Sequence, residues 1–266
     1  MDLLQVILLA VIQGLTEFLP VSSSAHLILL STFMHYKDQG LVFDVALHMG
    51  TLIAVLFYFR RELRIMIRDW VLSCMGRGQT AQSRLMWALG FTTIPVGLAG
   101  LLFSQYISTY LRDPVIIAFG MIVFGIFLGF ADKYAKQTRT EYQLNWKDIL
   151  VIGIAQALAL IPGASRSGTT MTAGLIMGLS KEASSRFSFL LSIPVIVLAG
   201  GHEASQMTQA DWANTQMGLL LLAVALSAVT AFAVIYIFLK LIERMGMMPF
   251  VIYRLLLGAL LLFLFW

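Results

Sequence analysis

Six long apolar runs, separated by shorter polar segments, recur along the chain. A helix needs about 20 apolar residues to cross the hydrocarbon core of a bilayer, so each run predicts one transmembrane helix. The pattern therefore predicts an all-α polytopic membrane protein in which residues 1–266 form a single integral membrane domain. The predicted crossings cover residues 42–59, 85–103, 114–131, 185–200, 217–239 and 249–265.

Two further apolar stretches, residues 3–34 and 149–179, are interrupted by polar residues, glycine and proline. Proline and glycine break helices, and the pieces on either side are mostly too short to span a bilayer. Non-helical backbone at membrane depth survives only when it is buried in protein or lines a cavity. Each stretch therefore predicts a re-entrant hairpin, in which a half-helix, a polar loop and a second half-helix enter and leave on the same side.

The composition excludes a soluble globular domain, because 59% of the residues are hydrophobic and only 12% are charged. An average soluble domain has about 25% charged residues. The single cysteine, Cys74, excludes an internal disulfide. The net charge of +4 predicts no nucleic-acid partner, since basic residues of membrane proteins usually report orientation. The first basic residue is Lys37, so no cleavable secretory signal is expected.

The lysines and arginines lie mostly on one side of the predicted topology. The opposite side keeps only Lys37 and Arg112. By the positive-inside rule the basic side faces the cytoplasm, so both termini are predicted to face outward. The loops on the basic side cover residues 60–84, 132–148, 180–186 and 240–248.

The two halves of the chain resemble each other. A shift of 143 residues places Gln13 on Gln156 and Ser22 on Ser165. Each half holds one hairpin and three crossings, and this odd number turns the second copy upside down. An inverted repeat is therefore predicted, with the two hairpin loops meeting near the midplane in one site. The predicted boundaries are about 1–131 for repeat one, 132–147 for a cytoplasmic linker and 148–266 for repeat two.

The second hairpin loop has the composition of an anion site. It ends where a half-helix is predicted, from Met171 to Leu179. Unpaired N–H groups at a helix N-terminus favour negative charge. Arg166 supplies a planar guanidinium that matches phosphate oxygens. The alternative is that the hydroxyls only cap the helix while Arg166 snorkels, but its long apolar flanks leave a poor route to water. The predicted phosphate-binding residues are Ser22, Ser24, Gly163, Ser165, Arg166, Ser167, Gly168, Thr169 and Thr170.

The first hairpin loop adds groups that could do chemistry. Glu17 is an ionisable residue inside an apolar stretch, which is costly and therefore a functional candidate. Gln13 lies on the same helical face at i, i+4 and supports it. Together they could orient a water, hold a histidine, or share a metal ion that arrives with substrate phosphates. The structural alternative is that Glu17 only pairs with Arg166.

The nucleophile stays open at this stage. His26 follows the serines and lies in the first turn of the next half-helix, where a neutral ring is favoured. Ser23 is the rival nucleophile if His26 serves as its base. The predicted catalytic residues are therefore Glu17, Ser23, His26 and Arg166.

Two other positions have weaker predictions. Asp44 and His48 form another i, i+4 pair, which either supports the site or marks the outer end of a crossing. Arg254 lies near the cytoplasmic end of the last run, and we expect it to anchor that end.

Two motifs carry a family resemblance. The segment from Gln13 to His26 has the pattern Glu/Gln-x-x-x-Glu followed by Pro-x-Ser-Ser and a histidine. The segment from Pro162 to Thr170 has the pattern Pro-Gly-x-Ser-Arg-Ser-x-x-Thr. With these motifs, its length and its Tyr253-Arg254 ending, the chain resembles the bacterial undecaprenyl-diphosphate phosphatases of the bacitracin-resistance type. Gln13 stands where many members have glutamate, which weakens a two-carboxylate metal site.

The resemblance implies a reaction. The family hydrolyses undecaprenyl diphosphate to undecaprenyl phosphate and phosphate, which recycles the lipid carrier for cell-wall synthesis and confers bacitracin resistance. It implies a divalent cation, Mg²⁺ or Ca²⁺, with Glu17 as a metal ligand, and functional roles for Glu17, Ser23, His26 and Arg166. It also implies the bacterial cytoplasmic (inner) membrane, with membrane lipids and a polyprenyl diphosphate substrate as partners and a site reached from outside.

Two rival functions remain at this stage. A polyprenyl-phosphate transporter, or flippase, could use the same inverted-repeat site. A non-catalytic lipid-binding scaffold gives no reason for an arginine and a glutamate at membrane depth. The sequence leaves the oligomeric state open, a homo-oligomer included.

Overall fold

The computed structural model describes residues 2–34, 40–111, 113–208 and 216–266. Over these residues the chain forms eleven α-helices and one short 3-10 helix, Glu141–Gln143, and has no β-strand. The α-helices are α1 (Leu3–Thr16), α2 (Ser23–Phe33), α3 (Leu41–Tyr58), α4 (Arg60–Cys74), α5 (Ala81–Tyr110), α6 (Pro114–Tyr134), α7 (Trp146–Leu158), α8 (Arg166–Ile176), α9 (Lys181–Gln206), α10 (Met217–Met245) and α11 (Met248–Phe265).

Six helices of the described chain are long and apolar enough to cross a membrane, namely α3, α5, α6, α9, α10 and α11. They coincide with the six predicted crossings, so that prediction is confirmed. The helices often continue past the apolar run because polar caps start them earlier. Thr80 and Ser83 form a capping box at the start of α5, for example. The chain is a multi-pass membrane protein.

Both interrupted stretches fold as helix, loop and helix. The first pair of helices is α1 and α2, and the second pair is α7 and α8. The residue before each second helix, Ser22 and Ser165, has a φ of 72° and 68° respectively. This left-handed backbone is uncommon for a residue with a Cβ. The Ser165 Oγ accepts a hydrogen bond from the Gly168 N–H and so caps α8.

The polar segment 60–84 contains a helix that the prediction missed. In α4 the buried apolar side chains are Leu63 and Met66, and the Trp70 ring packs edge-on against Trp87 of α5. This narrow apolar stripe repeats at helical spacing between arginines, so it does not register as an apolar run. Likewise α9 continues to Gln206, past the predicted end of that crossing at residue 200. Lys37 and Arg112, part of the predicted charge asymmetry, lie outside the described residues.

The hairpin helices pack against long helices from the opposite half of the chain: α1 lies against α10, and α7 lies against α5. Glycines allow close contact at both places. A Cβ on Gly14 would lie 2.7 Å from the Thr230 Cβ, and one on Gly153 would lie 3.0 Å from the Pro95 Cγ. Since α3 also packs against α9 and α6 against α11, the two halves interlock and position both hairpin loops inside the protein.

Candidate functional site

The two hairpin loops meet at an ion pair. The Arg166 Nη2 donates to the Glu17 Oε1 at 2.7 Å, across 149 positions of sequence. Both side chains are largely buried, and 8% of Glu17 is exposed. The prediction that the two loops lie together is therefore confirmed. A buried ion pair of this kind is costly to desolvate, so it is weak evidence for stability and stronger evidence for a functional site.

The second carboxylate oxygen of Glu17 accepts hydrogen bonds from the first hairpin. The Ser23 Oγ donates to the Glu17 Oε2 at 2.7 Å. The Gln13 Nε2 donates to the same oxygen at 3.0 Å, as their i, i+4 spacing predicted. The His48 Nε2 lies 3.9 Å from this oxygen, on the neighbouring helix α3. Because Ser23 points its hydroxyl at a carboxylate, its proton has an acceptor within hydrogen-bond distance.

Arg166 is held in place by α9 as well as by Glu17. Its Nη1 donates to the Ser188 carbonyl oxygen at 3.0 Å. As the first residue of α8, Arg166 also lies where the helix N-terminus leaves backbone N–H groups unpaired. A guanidinium has five N–H donors, so Arg166 keeps further donors for a ligand while it bonds to Glu17 and Ser188.

A cavity of about 210 Å³ lies beside these groups. Its polar side comes from both hairpins, and Glu203 of α9 lies among the lining residues. Its other side is apolar, with Val96 of α5 and Val195 and Ile196 of α9. An amphiphile with a charged head and a hydrocarbon tail matches this division. The charged and hydroxyl-bearing hairpin residues that line the cavity are Glu17, Ser22, Ser23, Ser24, Ser165, Arg166 and Ser167.

The other predicted phosphate-binding residues make contacts within the protein. The Thr169 Oγ1 donates to the Ser165 carbonyl oxygen at 2.7 Å, and the Thr170 Oγ1 lies 2.7 Å from the Ser188 Oγ. A Cβ on Gly163 would clash with the Ile117 carbonyl oxygen, and a Cβ on Gly168 would clash with the Arg254 side chain. These four residues therefore shape the loop, and their contact with phosphate stays a prediction.

His26 does not line this cavity. Its Nδ1 lies 2.7 Å from the Ser22 carbonyl oxygen. Since a carbonyl only accepts, the Nδ1 carries a proton and donates it to this oxygen. Its Nε2 lies 2.5 Å from the Tyr253 hydroxyl oxygen, and the two rings stack with centroids 5.6 Å apart. His26 and Tyr253 thus link α2 to α11.

Asp44 and His48 contribute differently. The His48 Nδ1 donates to the Asp44 backbone carbonyl oxygen at 2.8 Å. This contact uses the backbone of Asp44, and any residue at that position could provide it. His48 lines the cavity, whereas Asp44 does not. Of the two open interpretations, the structure therefore favours a place at the site for His48.

The prediction that Arg254 anchors a helix end is wrong. Its side chain is fully buried and bonds backbone carbonyl oxygens. Its Nη1 donates to the Pro20 oxygen at 3.1 Å, and its Nη2 donates to the oxygens of Gly163 and Ala164, both at 2.9 Å. Further bonds reach the Met121 and Gly120 oxygens of α6. Arg254 therefore ties both hairpin loops to α6 and α11.

Comparison with known proteins shows the family of this chain. The family model described as bacitracin resistance protein BacA matches residues 6–260. An undecaprenyl-diphosphatase of Thioalkalivibrio sulfidiphilus is 55% identical over 266 residues, which cover all of both chains. Undecaprenyl-diphosphatase 2 of Stutzerimonas stutzeri is 56% identical and covers 100% of this chain and 99% of its own. The undecaprenyl-diphosphatase of Campylobacter concisus is 49% identical over the full length of both chains.

The chain belongs to the bacitracin resistance protein BacA family. The Glu17, Ser23 and Arg166 cluster is therefore the candidate active site of a BacA-family protein.

Within the described ranges, the side chains of this BacA-family protein offer few ligands for a metal ion. Magnesium and calcium take several oxygen ligands, whereas the described residues include no group of three or more His, Cys, Asp or Glu that could hold an ion. Glu17 is the carboxylate in the cluster, and its oxygens already accept from Arg166, Ser23 and Gln13. The Gln13 Oε1 is a buried oxygen with no hydrogen-bond partner, and it adds one neutral oxygen ligand for a metal ion at most.

Sequence reasoning missed Arg254, Tyr253 and Ser188 in this BacA-family site. Arg254 gave a usable signal, because it has apolar residues on both sides within the last run, just as Arg166 has. Ser188 contributes its backbone oxygen to Arg166 and its hydroxyl to Thr170, and nothing local in the sequence indicates either contact.

Proposed function

We propose that this protein is an undecaprenyl-diphosphatase that hydrolyses undecaprenyl diphosphate to undecaprenyl phosphate and inorganic phosphate. The observation that carries the proposal is the buried cluster of Glu17, Ser23 and Arg166 beside a cavity with an apolar wall. The names of its full-length relatives support the same activity. The product is the lipid carrier of cell-wall synthesis, so the role is carrier recycling, with the bacitracin resistance that the family description names.

Ser23 is the proposed nucleophile. Its Oγ attacks the terminal phosphorus, the bond from that phosphorus to the bridging oxygen breaks, and undecaprenyl phosphate leaves. The proton of Ser23 moves to the Glu17 Oε2, which already accepts it at 2.7 Å. Arg166 keeps donors free to bind the diphosphate and to stabilise the charge on the transferring phosphoryl group. The result is a phosphoserine, a protonated Glu17 and the released lipid phosphate.

Water completes the reaction in the second step. It attacks the phosphorus of the phosphoserine, and the bond from phosphorus to the Ser23 Oγ breaks. Glu17 returns its proton to that oxygen, and inorganic phosphate leaves with both protons of the water. His26 would act through Ser22, because its Nδ1 holds the backbone of the residue before Ser23. We assign it a positioning role.

The phosphate and cation contacts follow from the same placement. We assign the diphosphate to the hydroxyls of Ser22, Ser24, Ser165 and Ser167 and to the N-terminus of α8. Because Glu17 already accepts three hydrogen bonds, a Mg²⁺ or Ca²⁺ ion would enter with the substrate phosphates.

We further propose that the two halves form an inverted repeat with two re-entrant hairpins. The halves pair as about 1–131 and 148–266, joined by a cytoplasmic linker. The helices α2 and α8 both have 11 residues and start 143 positions apart. Ser22 and Ser165 share the same uncommon backbone at that spacing, and each hydroxyl contacts the serine two residues on. Packing of each hairpin against the opposite half supports this symmetry.

The proposed orientation in the cytoplasmic (inner) membrane puts both termini outside and the site within reach of the outer leaflet. The single cysteine, Cys74, is exposed at the end of α4 and would face the cytoplasm. In spheroplasts, we expect a membrane-permeant maleimide to label Cys74 and an impermeant one to leave it unlabelled. Gly218→Cys in a Cys74→Ser background would react with the impermeant reagent, since Gly218 has open space around it. The reverse labelling would overturn the orientation.

The activity is tested by phosphate release from undecaprenyl diphosphate by the purified protein in detergent, with Mg²⁺, with Ca²⁺ and with a chelator. We expect release that Glu17→Gln abolishes, because Ser23 then loses its proton acceptor. Arg244→Gln is the control, since it removes an exposed charge outside the cavity. A folded wild type that binds the lipid but releases nothing under every metal condition would refute the hydrolase and leave lipid translocation to be tested.

The nucleophile is tested by trapping. With substrate labelled in the terminal phosphate, we expect an acid-stable, alkali-labile label on the peptide that contains Ser23. Ser23→Ala should lose the label and activity, and His26→Gln should keep the label while turnover falls. An acid-labile label that disappears with His26→Gln would instead make His26 the nucleophile.

A further inference from the structure

A second cavity, of about 360 Å³, lies at the opposite ends of two helices that also reach the candidate active site. It is formed by the starts of α5 and α7 and by the 3-10 helix between them. It shares no lining residue with the first cavity. Its lining combines aromatic rings, apolar side chains and a few polar groups: Gln79, Arg84, Leu85, Trp87, Ala88, Phe91, Glu141, Tyr142, Leu144, Asn145, Trp146 and Ile149.

A row of aromatic rings runs along this cavity. The ring centroids of Trp70 and Trp87 are 5.7 Å apart, as are those of Trp87 and Phe91. Phe91 and Trp146 continue the row at 5.0 Å, and 68% of Trp146 is exposed. Trp146 opens α7 and Trp87 lies in the second turn of α5. Tryptophans near the ends of membrane helices lie at the level of the lipid headgroups, so this row marks the membrane interface.

The charge at this cavity is positive. Glu141 in its lining is neutralised, because the Arg186 Nε donates to its Oε1 at 2.7 Å. Arg84 is exposed, and no acidic side chain of the described chain pairs with it. A free guanidinium beside tryptophan rings is suited to a phosphate that lies at the interface.

The neighbouring helix α4 extends this basic surface. Arg61 and Arg64 are exposed and likewise have no acidic partner in the described ranges, whereas Arg68 pairs with Asp69. Ile67 and Val71 are exposed on the same helix, at 51% and 44%. Arginines flanked by exposed apolar residues on one helix are typical of a helix that lies in the surface of an anionic membrane.

We propose that this cavity binds an anionic phospholipid, with the headgroup phosphate on Arg84 and the upper acyl chains against Trp87, Phe91 and Trp146. The positive-inside rule accounts for arginines on this side in general. It does not account for an unpaired arginine in the lining of a cavity with a row of aromatic rings. The site belongs to the leaflet on the basic side of the protein, and the bound lipid would brace α5 against α7.

The test uses tryptophan fluorescence in vesicles of phosphatidylcholine that contain either brominated phosphatidylglycerol or brominated phosphatidylcholine at equal mole fraction. Bromine quenches tryptophans that it contacts. We expect brominated phosphatidylglycerol to bind the wild type about fivefold more tightly than brominated phosphatidylcholine. This ratio corresponds to the contribution of one arginine near an anionic membrane surface. Unbrominated phosphatidylglycerol should reverse the quenching, and phosphatidylcholine should not.

Arg84→Gln should lose the preference, and Arg84→Lys should keep most of it. Arg244→Gln is the matched control, because it removes one exposed charge from another helix, away from the ring row. Equal quenching by both lipids in the wild type would overturn the proposal, and so would equal loss in Arg84→Gln and Arg244→Gln. The competition arm uses only wild-type protein, so an absence of the anionic preference overturns the proposal even if a variant does not fold.

Discussion

Arg166→Lys is expected to lower kcat/KM for phosphate release from undecaprenyl diphosphate by about 10²–10³-fold, the cost of losing one donor that faces the developing charge. Lysine keeps a positive charge next to Glu17, so the protein should still fold. It has one nitrogen with three donors in place of a planar fork with five, so hydrogen bonds to both Glu17 and Ser188 would leave one donor at most for the diphosphate. The measurement is steady-state phosphate release at several substrate concentrations.

Arg139→Lys is the matched control for that experiment. Arg139 makes an equally close ion pair, to Asp148 at 2.6 Å, but it lies outside the lining of the catalytic cavity. We expect the activity of the Arg139→Lys variant to stay near that of the wild type. If both lysine variants lose activity to the same extent, the effect belongs to the fold, and Arg166 has no special part in the reaction.

Arg254→Met is expected to destabilise the protein by about 3 kcal/mol or more, because each buried carbonyl left without its donor costs roughly 1–3 kcal/mol. Methionine fills much of the volume but donates no hydrogen bond. The oxygens of Pro20 and Gly163, one in each hairpin loop, then lose the donor that Arg254 supplies. The measurement is unfolding by SDS in mixed micelles, with helicity as the signal.

Activity should fall together with stability in Arg254→Met, because the same side chain fixes both loops of the site. Arg244→Met, on an exposed stretch of α10, should change the free energy of unfolding by no more than about 0.5 kcal/mol. A variant at position 254 that is as stable as the wild type would mean that the loops keep their places without the guanidinium.

Local pattern was enough to predict several features of the site. The i, i+4 spacing predicted that Gln13 and Glu17 share a helical face, and the two side chains do bond each other. The proline and the serines predicted that a second half-helix follows each loop, with His26 in the first turn of α2, although α8 begins at Arg166 and not at the predicted Met171. Both follow from interactions within a few residues of sequence, which is the range that periodicity and helix breakers report.

Long-range contacts were out of reach of the same reasoning. His26 could be placed in the first turn of a helix, but its partner Tyr253 lies 227 positions away. The choice between Ser23 and His26 as nucleophile stayed open because it depends on which side chain faces Glu17. Arg254 was assigned to the wrong environment, since the sequence does not record that five carbonyl oxygens converge on it.

The sequence by itself determined that this chain crosses a membrane several times and that two polar loops interrupt its apolar stretches, because the bilayer imposes helix length and apolar character on every span. It also carried the motifs of the BacA family. Only the tertiary structure decided that Glu17 contacts both Ser23 and Arg166, that His26 turns toward Tyr253, and that Arg254 joins the loops. The physical reason is that apolar helices have many compatible ways to pack, and only their packing brings distant polar groups to hydrogen-bond distance.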